Sequence, residues 1–164
     1  MVEKKTPVKK KETKKSSDSK KTPENFLIVG IGASAGGLES FKEFFTAMPD
    51  NPGMAFVLVQ HLDPTHKSLL TELIGNFTQM SVWEVKDGTK VKPNNIYVIP
   101  PNKGLGIMDG SLFLLDPQEA RGSRRPIDFF LRSLAEDQKE RAIGIVLSGT
   151  GSEGAIGLKI IKGE

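Results

Sequence analysis

Cysteine is absent from the 164 residues, and with it go disulfide frameworks, thiolate nucleophiles and Cys-ligated zinc or iron–sulfur centres. No apolar run nears the roughly 18 residues needed to cross a bilayer as a helix. The lysines at the start are followed by no apolar stretch of the secretory kind. Neither a secretion signal nor membrane insertion is expected, and a reducing, cytoplasmic setting suits the chain. The first 25 residues also contain no glycine and no aromatic side chain.

That leader, residues 1–25, holds nine lysines against four acids, a local charge of +5. The other 139 residues carry 14 basic and 16 acidic side chains, or −2, so the overall +3 belongs to the leader. With almost nothing apolar to bury, it cannot offset the entropy of ordering and is expected to be disordered. Such a charge run reads first as a solvated leader. Without aromatics to stack on bases, nucleic acid is not an expected partner. Residues 26–164 are enough for one domain with a real core.

From residue 26 onward short apolar runs alternate with helical periods, the pattern of a mostly parallel, doubly wound α/β sheet flanked by helices. Buried strands are expected at 26–31 (FLIVGI), 55–60 (AFVLVQ) and 142–147 (AIGIVL), with further strands at 80–85 and 95–99. The spacing of Leu38, Phe41, Phe44, Phe45 and Met48 predicts a helix over 37–48 with one core face. Thr65 is a candidate N-cap for a helix over 65–76, with Leu69, Leu70, Leu73 and Ile74 facing inward. Asp109-Gly110 between two apolar runs marks an antiparallel β-hairpin over 105–115, an excursion from the wound pattern. Pro126 opens a helix to about residue 138 carrying Ile127, Phe130, Leu131 and Leu134 on one side. A last helix begins at 155. Trp83 and Tyr97 read as core or edge packing, and His66 as a surface residue.

Ligands of open parallel sheets bind beyond the carboxyl ends of the strands. Ser34 lies in the glycine-rich stretch after the first strand, His61 directly after the second, and Glu153 in the glycine loop after the last. A hydroxyl, an imidazole and a carboxylate so placed form a candidate nucleophile, base and orienting acid. Backbone amides at Ala35 and in loop 149–151, which contains Thr150, are candidate oxyanion donors. The chemistry calls for no metal and no organic cofactor. An alternative stays open, because residues 30–35 also fit the dinucleotide fingerprint G-x-G-x-x-A. That reading expects an acid at the end of the second strand to hold a ribose, yet Gln60-His61 stands there.

The stretches IVGIGASAGGLESF, VLVQHLDPTH, RRPIDFFLRSLA and IVLSGTGSEGAIGLK, in that order and spacing, resemble the catalytic domain of the chemotaxis protein-glutamate methylesterases. The likeness covers residues 26–164 and looks closer to the module found in hybrid proteins that also carry a receptor methyltransferase. It implies a serine hydrolase that removes methyl groups from glutamyl esters on the cytoplasmic helices of chemoreceptors, releasing methanol, with deamidation of receptor glutamines as a related activity. It implies the methylated receptor domain as partner, and a methyltransferase domain in a longer parent chain as another. Ser34 matches the family nucleophile and His61 its general base. Glu153 stands where the family has aspartate.

Glutamate can do the same orienting job, but its extra methylene moves the carboxylate, and a misplacement of about 1 Å can cost on the order of 100-fold in rate. Reduced or retained activity is expected rather than none. Ala35 replaces a residue that is often Thr, and Thr150 stands where many members have Met. Arg124, Arg125, Pro126 and Asp128 match a further motif expected to pack near the site. The family domain continues with at least one more strand and helix, so an incomplete C-terminus and an exposed edge strand are expected. With only the leader ahead of the motifs, activation by phosphorylation within the chain is not expected. A competing reading of the same fold is a receptor-docking scaffold with weak or no turnover.

Overall fold

A computed structural model describes residues 25–34, 37–61, 69–120, 123–149 and 151–163. The expected disorder of the leader therefore lies outside the described residues, apart from Asn25. Eight strands and four helices follow in order: β1 (Ile28–Ala33), α1 (Gly37–Ala47), β2 (Ala55–Gln60), α2 (Leu70–Gly75), β3 (Ser81–Glu84), β4 (Thr89–Lys90), β5 (Asn95–Val98), β6 (Gly104–Met108), β7 (Ser111–Leu115), α3 (Pro126–Gln138), β8 (Ala142–Ser148) and α4 (Ala155–Gly163). Five strands form a parallel sheet in the order β3-β5-β2-β1-β8. The antiparallel excursion is a separate three-stranded sheet, β4-β7-β6. The doubly wound α/β class read from the sequence is the observed one, and no described helix is long and apolar enough to cross a membrane.

The sheet has two apolar faces because successive side chains of a strand point to opposite sides. Val29, Ile31, Phe56 and Leu58 meet α1 and α2 on one face. There Phe45 stands edge-on to Phe44 and Phe56, with ring centroids 5.1 and 5.5 Å apart. Ile28, Val57 and Val59 meet α3 and the small sheet on the other. Burying each such large apolar side chain contributes about 1.5–3 kcal/mol.

Glycines let α3 lie unusually close to the sheet. A methyl group at Gly32 would come within 2.4 Å of Ile127 Cγ2, and one at Gly30 within 2.8 Å of Leu131 Cδ2. Gly30 lies inside β1 as expected, and Gly32 lies there too rather than in a turn after it, a correction to the expected strand at 26–31. The strand extends to Ala33 because its partners do: Ala33 pairs with Gln60 on one side and with Ser148 on the other.

Three further expectations are corrected. The strand expected to be buried at 142–147 is only partly buried along its whole length, since among the described residues β8 ends the strand order and pairs on one side only. Leu38 and Leu69 face outward, at 37% and 60% exposure, because one occupies the first turn of α1 and the other precedes α2, beyond the packed stripe of each helix. Helix α2 starts at Leu70, and the expected start at Thr65, like His66, lies outside the described residues. Trp83 lies on the edge strand β3 and is mostly exposed, whereas Tyr97 is core.

Candidate functional site

Parallel register brings the carboxyl ends of β1, β2 and β8 to one level, and Ser34, His61 and Gly149 are the next residues of each chain segment. The pairing of β1 with β8 shifts between Gly32 and Ala33, skipping Leu147. A bulge at a strand end of this kind re-aims the chain beyond it.

The Ser34 backbone is held at three points. Its N–H donates to Ser148 O at 3.1 Å. Its carbonyl accepts from Gly37 N–H at 3.0 Å and from Gln60 Nε2 at 3.3 Å. Among the described residues the non-glycine ones with positive φ are Asn94, Asn102, Asp109 and Lys139, so Ser34 itself carries no left-handed strain. A methyl group at Gly149 would lie 3.0 Å from Ser34 Oγ, which places the hydroxyl against the loop that follows β8. Among the described residues none hydrogen-bonds to Ser34 Oγ.

Glu153 joins the site to a helix. One carboxylate oxygen accepts from His61 Nε2, and the other accepts from the Ile127 N–H at 2.8 Å. Ile127 is the second residue of α3, after Pro126, and the first N–H groups of a helix have no partner within it. Arg125 at the N-cap makes no side-chain capping bond, so the carboxylate from residue 153 does the capping. Gly154, with φ of +91°, makes the turn between Glu153 and α4 in a conformation that side chains rarely adopt.

An imidazole nitrogen facing a carboxylate carries a proton, so Nε2–H donates to Glu153. In Ser–His–Asp triads of serine proteases the carboxylate holds Nδ1 and Nε2 serves the serine. Here Nε2 is the nitrogen that meets the carboxylate.

The three residues singled out across 119 positions of sequence are thus placed at one end of the sheet, two of them in direct contact. Ala35 and Thr150 lie outside the described residues. A groove of about 580 Å³ opens beside His61, lined among others by Gln60, Phe129, Arg125, Arg132 and Ile156. Phe129 and Ile156 are each 45% exposed there, an apolar pair in a rim that carries Arg125 and Arg132 but also Asp116 and Glu119. Arg124 is tied to Asn102 Oδ1 and to the Glu119 carbonyl, both at 2.8 Å.

Sequence reasoning missed Gln60 and the capping of α3. Gln60 has no signal beyond adjacency to His61. Pro126 did mark a helix start, where a carboxylate partner is favourable, but nothing local said that Glu153 would supply it. Among the described residues no group of three or more His, Cys, Asp or Glu is arranged to hold a metal ion.

The family model for the CheB methylesterase matches residues 29–164. A relative from Leptospira interrogans is 30% identical over 139 residues, with 84% of this chain and 72% of that protein covered. The protein-glutamate methylesterase/protein-glutamine glutaminase of Thermotoga maritima is 33% identical, and that of Geobacter metallireducens 32%. Those alignments cover 82% and 80% of this chain but only 40% and 37% of the relatives. The crystal structure of the Thermotoga maritima CheB methylesterase catalytic domain superposes with a TM-score of 0.74 at 32% identity, covering 84% of this chain and 75% of that one. With the family model spanning most of its length and a catalytic-domain fold to match, the chain belongs to the CheB methylesterase family, whose members are carboxylic ester hydrolases.

Proposed function

We propose that the chain demethylates glutamyl methyl esters on the cytoplasmic helices of chemoreceptors, through a covalent intermediate on Ser34. The observation that carries this reading is the Glu153 carboxylate bridging His61 and the start of α3 at the strand end that also presents Ser34. The names of the relatives support methyl ester hydrolysis and, as a second activity of the same site, glutamine deamidation.

In the proposed reaction Ser34 Oγ attacks the ester carbonyl carbon while His61 Nδ1 takes the hydroxyl proton. Glu153, on the Nε2–H side, stabilises the imidazolium. Collapse of the tetrahedral species passes that proton to the departing methoxide, which leaves as methanol, and Ser34 is left esterified by the receptor glutamate. A water molecule, deprotonated by the same nitrogen, hydrolyses that ester and frees a carboxylate. We assign oxyanion stabilisation to backbone amides near Ala35 and Thr150. The apolar pair Phe129 and Ile156, between Arg125 and Arg132, suits an acidic amphipathic receptor helix lying along the groove. A cytoplasmic setting, and a methyltransferase domain elsewhere in a parent chain, accompany this reading.

The test is methanol release from methylated receptor, with Ser34→Ala as control. Release by the parent and none by the variant is expected, and equal rates would overturn the assignment.

A second reading, a receptor-docking module without efficient turnover, is favoured by the lack of a described hydrogen bond from Ser34 to His61. Hydrolytic sites often close such bonds only on substrate, so this observation weighs lightly. Receptor binding without methanol release would select it. The nucleotide-binding reading loses its footing, because Gly30 and Gly32 are taken up in seating α3. A thermal transition unchanged by excess NAD or mononucleotide is the outcome expected.

A further inference from the structure

We propose that Asp128 is a positioning residue for the hydrolytic site, acting through Glu153; the proposal rests on the roles given above to Ser34, His61 and Glu153. Asp128 and Gln138 are the buried polar side chains among the described residues, and Asp128 is only 7% exposed. A carboxylate taken out of water in this way must be matched by donors. Its Oδ1 accepts from the Gly157 N–H at 2.8 Å, and its Oδ2 accepts from Arg125 at 3.3 Å.

Gly157 belongs to the first turn of α4, so Asp128 does for α4 what Glu153 does for α3. Each carboxylate satisfies an unpaired N–H at the start of the other's helix, and the two helices are clasped reciprocally. The clasp is tight, since a methyl group at Gly157 would lie 2.5 Å from Leu131 Cβ. Glu153 sits between two anchored points. After it, Gly157 is held by Asp128 directly. Before it, Ser152 Oγ accepts from Arg125 at 3.4 Å, and Arg125 is itself held by Asp128. Removing the Asp128 carboxylate releases both anchors of the short segment that aims Glu153 at His61.

A buried aspartate of purely structural use would lower stability without altering that aim, so the test reads the aim itself. Asp128→Ala and the near-isosteric Asp128→Asn are made in the full chain, each with and without Glu153→Gln. The chain has two histidines, and a His66→Asn comparison identifies the ring resonances of His61 by NMR at one fixed pH. Asp128→Ala should move the His61 resonances most of the way to their positions in Glu153→Gln, with Asp128→Asn between. Methanol release should fall about 10- to 100-fold in kcat with KM little changed. In the Glu153→Gln background the same substitution should cost less than about twofold, because the residue through which it acts is already altered.

His61 resonances at the parent positions in folded Asp128→Ala or Asp128→Asn would overturn the proposal. So would an equal loss of kcat in both backgrounds. If the resonances move as expected but the parent chain itself releases no methanol, the hydrolase reading fails and the positioning of Glu153 by Asp128 stands.

Discussion

Gly32→Ala is the substitution for which the geometry makes the sharpest demand. The new methyl group would lie 2.4 Å from Ile127 Cγ2 and 3.1 and 3.2 Å from the rest of that side chain. Ile127 cannot turn away freely, being 2% exposed and packed between β1 and α3. Overpacking of this kind costs about 1–3 kcal/mol. The push falls on the first turn of α3, where the Ile127 N–H meets Glu153, so activity should fall with stability. Gly75→Ala is the control, because nothing lies within 4 Å of the added group and helix propensity favours alanine by up to about 1 kcal/mol. Urea unfolding of both variants, with Gly32→Ala/Ile127→Ala as the rescue, measures the clash. Ile127→Ala alone should cost about 2–5 kcal/mol, and the double variant should be more stable than the two losses added together. If Gly32→Ala is as stable as Gly75→Ala, or its loss simply adds to that of Ile127→Ala, the close approach of α3 to β1 is wrong.

Glu153→Asp should separate the two tasks of this carboxylate. A side chain one methylene shorter cannot span from Ile127 N–H to His61, so either stability falls by about 0.5–2 kcal/mol through the lost cap or kcat falls, and unfolding curves beside methanol assays show which. Glu153→Ala should lose both. Gly149→Ala places a methyl group 3.0 Å from Ser34 Oγ and should lower methanol release about tenfold or more, while an unchanged rate would mean that the hydroxyl does not face this loop. Burial raises the Tyr97 hydroxyl above its ordinary pKa of 10.0, against the opposing hydrogen bond from the Lys92 N–H. Its folded form keeps a proton that the unfolded chain gives up, so the stability it supports is full below pH 10.0 and lost as pH rises beyond it. Tyr97→Phe should flatten that alkaline loss in thermal melts taken between pH 8 and 11.

What could be read from the sequence depended on whether a residue's role is written locally. The central strands β1 and β2 are continuous apolar runs, and such runs declare themselves. The hairpin β6–β7 was equally plain, because Asp109 and Gly110 both take the positive φ that a tight turn of this hand requires. By contrast, β8 reads like a central strand and is an edge among the described residues, since a strand's letters do not say how many neighbours it has. The convergence of Ser34, His61 and Glu153 was legible from their places after strands of one parallel sheet. The bonds from Glu153 to Ile127 and from Asp128 to Gly157 were not, because side-chain bonds to backbone across 26 and 29 residues leave no periodic mark.

These bonds tie the chemistry of the site to how closely one helix can approach one strand. Gly30 and Gly32 remove the side chains that would hold α3 away from β1, and the start of α3 thereby arrives beside the carboxyl end of that strand. There its unpaired N–H groups meet a carboxylate from the loop after β8, and that carboxylate turns its other oxygen to His61. A glutamate reaches both partners, and an aspartate would be one methylene shorter. In this geometry the Glu153 side chain is long enough to bond the start of α3 and the imidazole together. A residue with both tasks is hard to replace by either a better cap or a better acid alone, and stability and turnover should vary together wherever α3 is displaced.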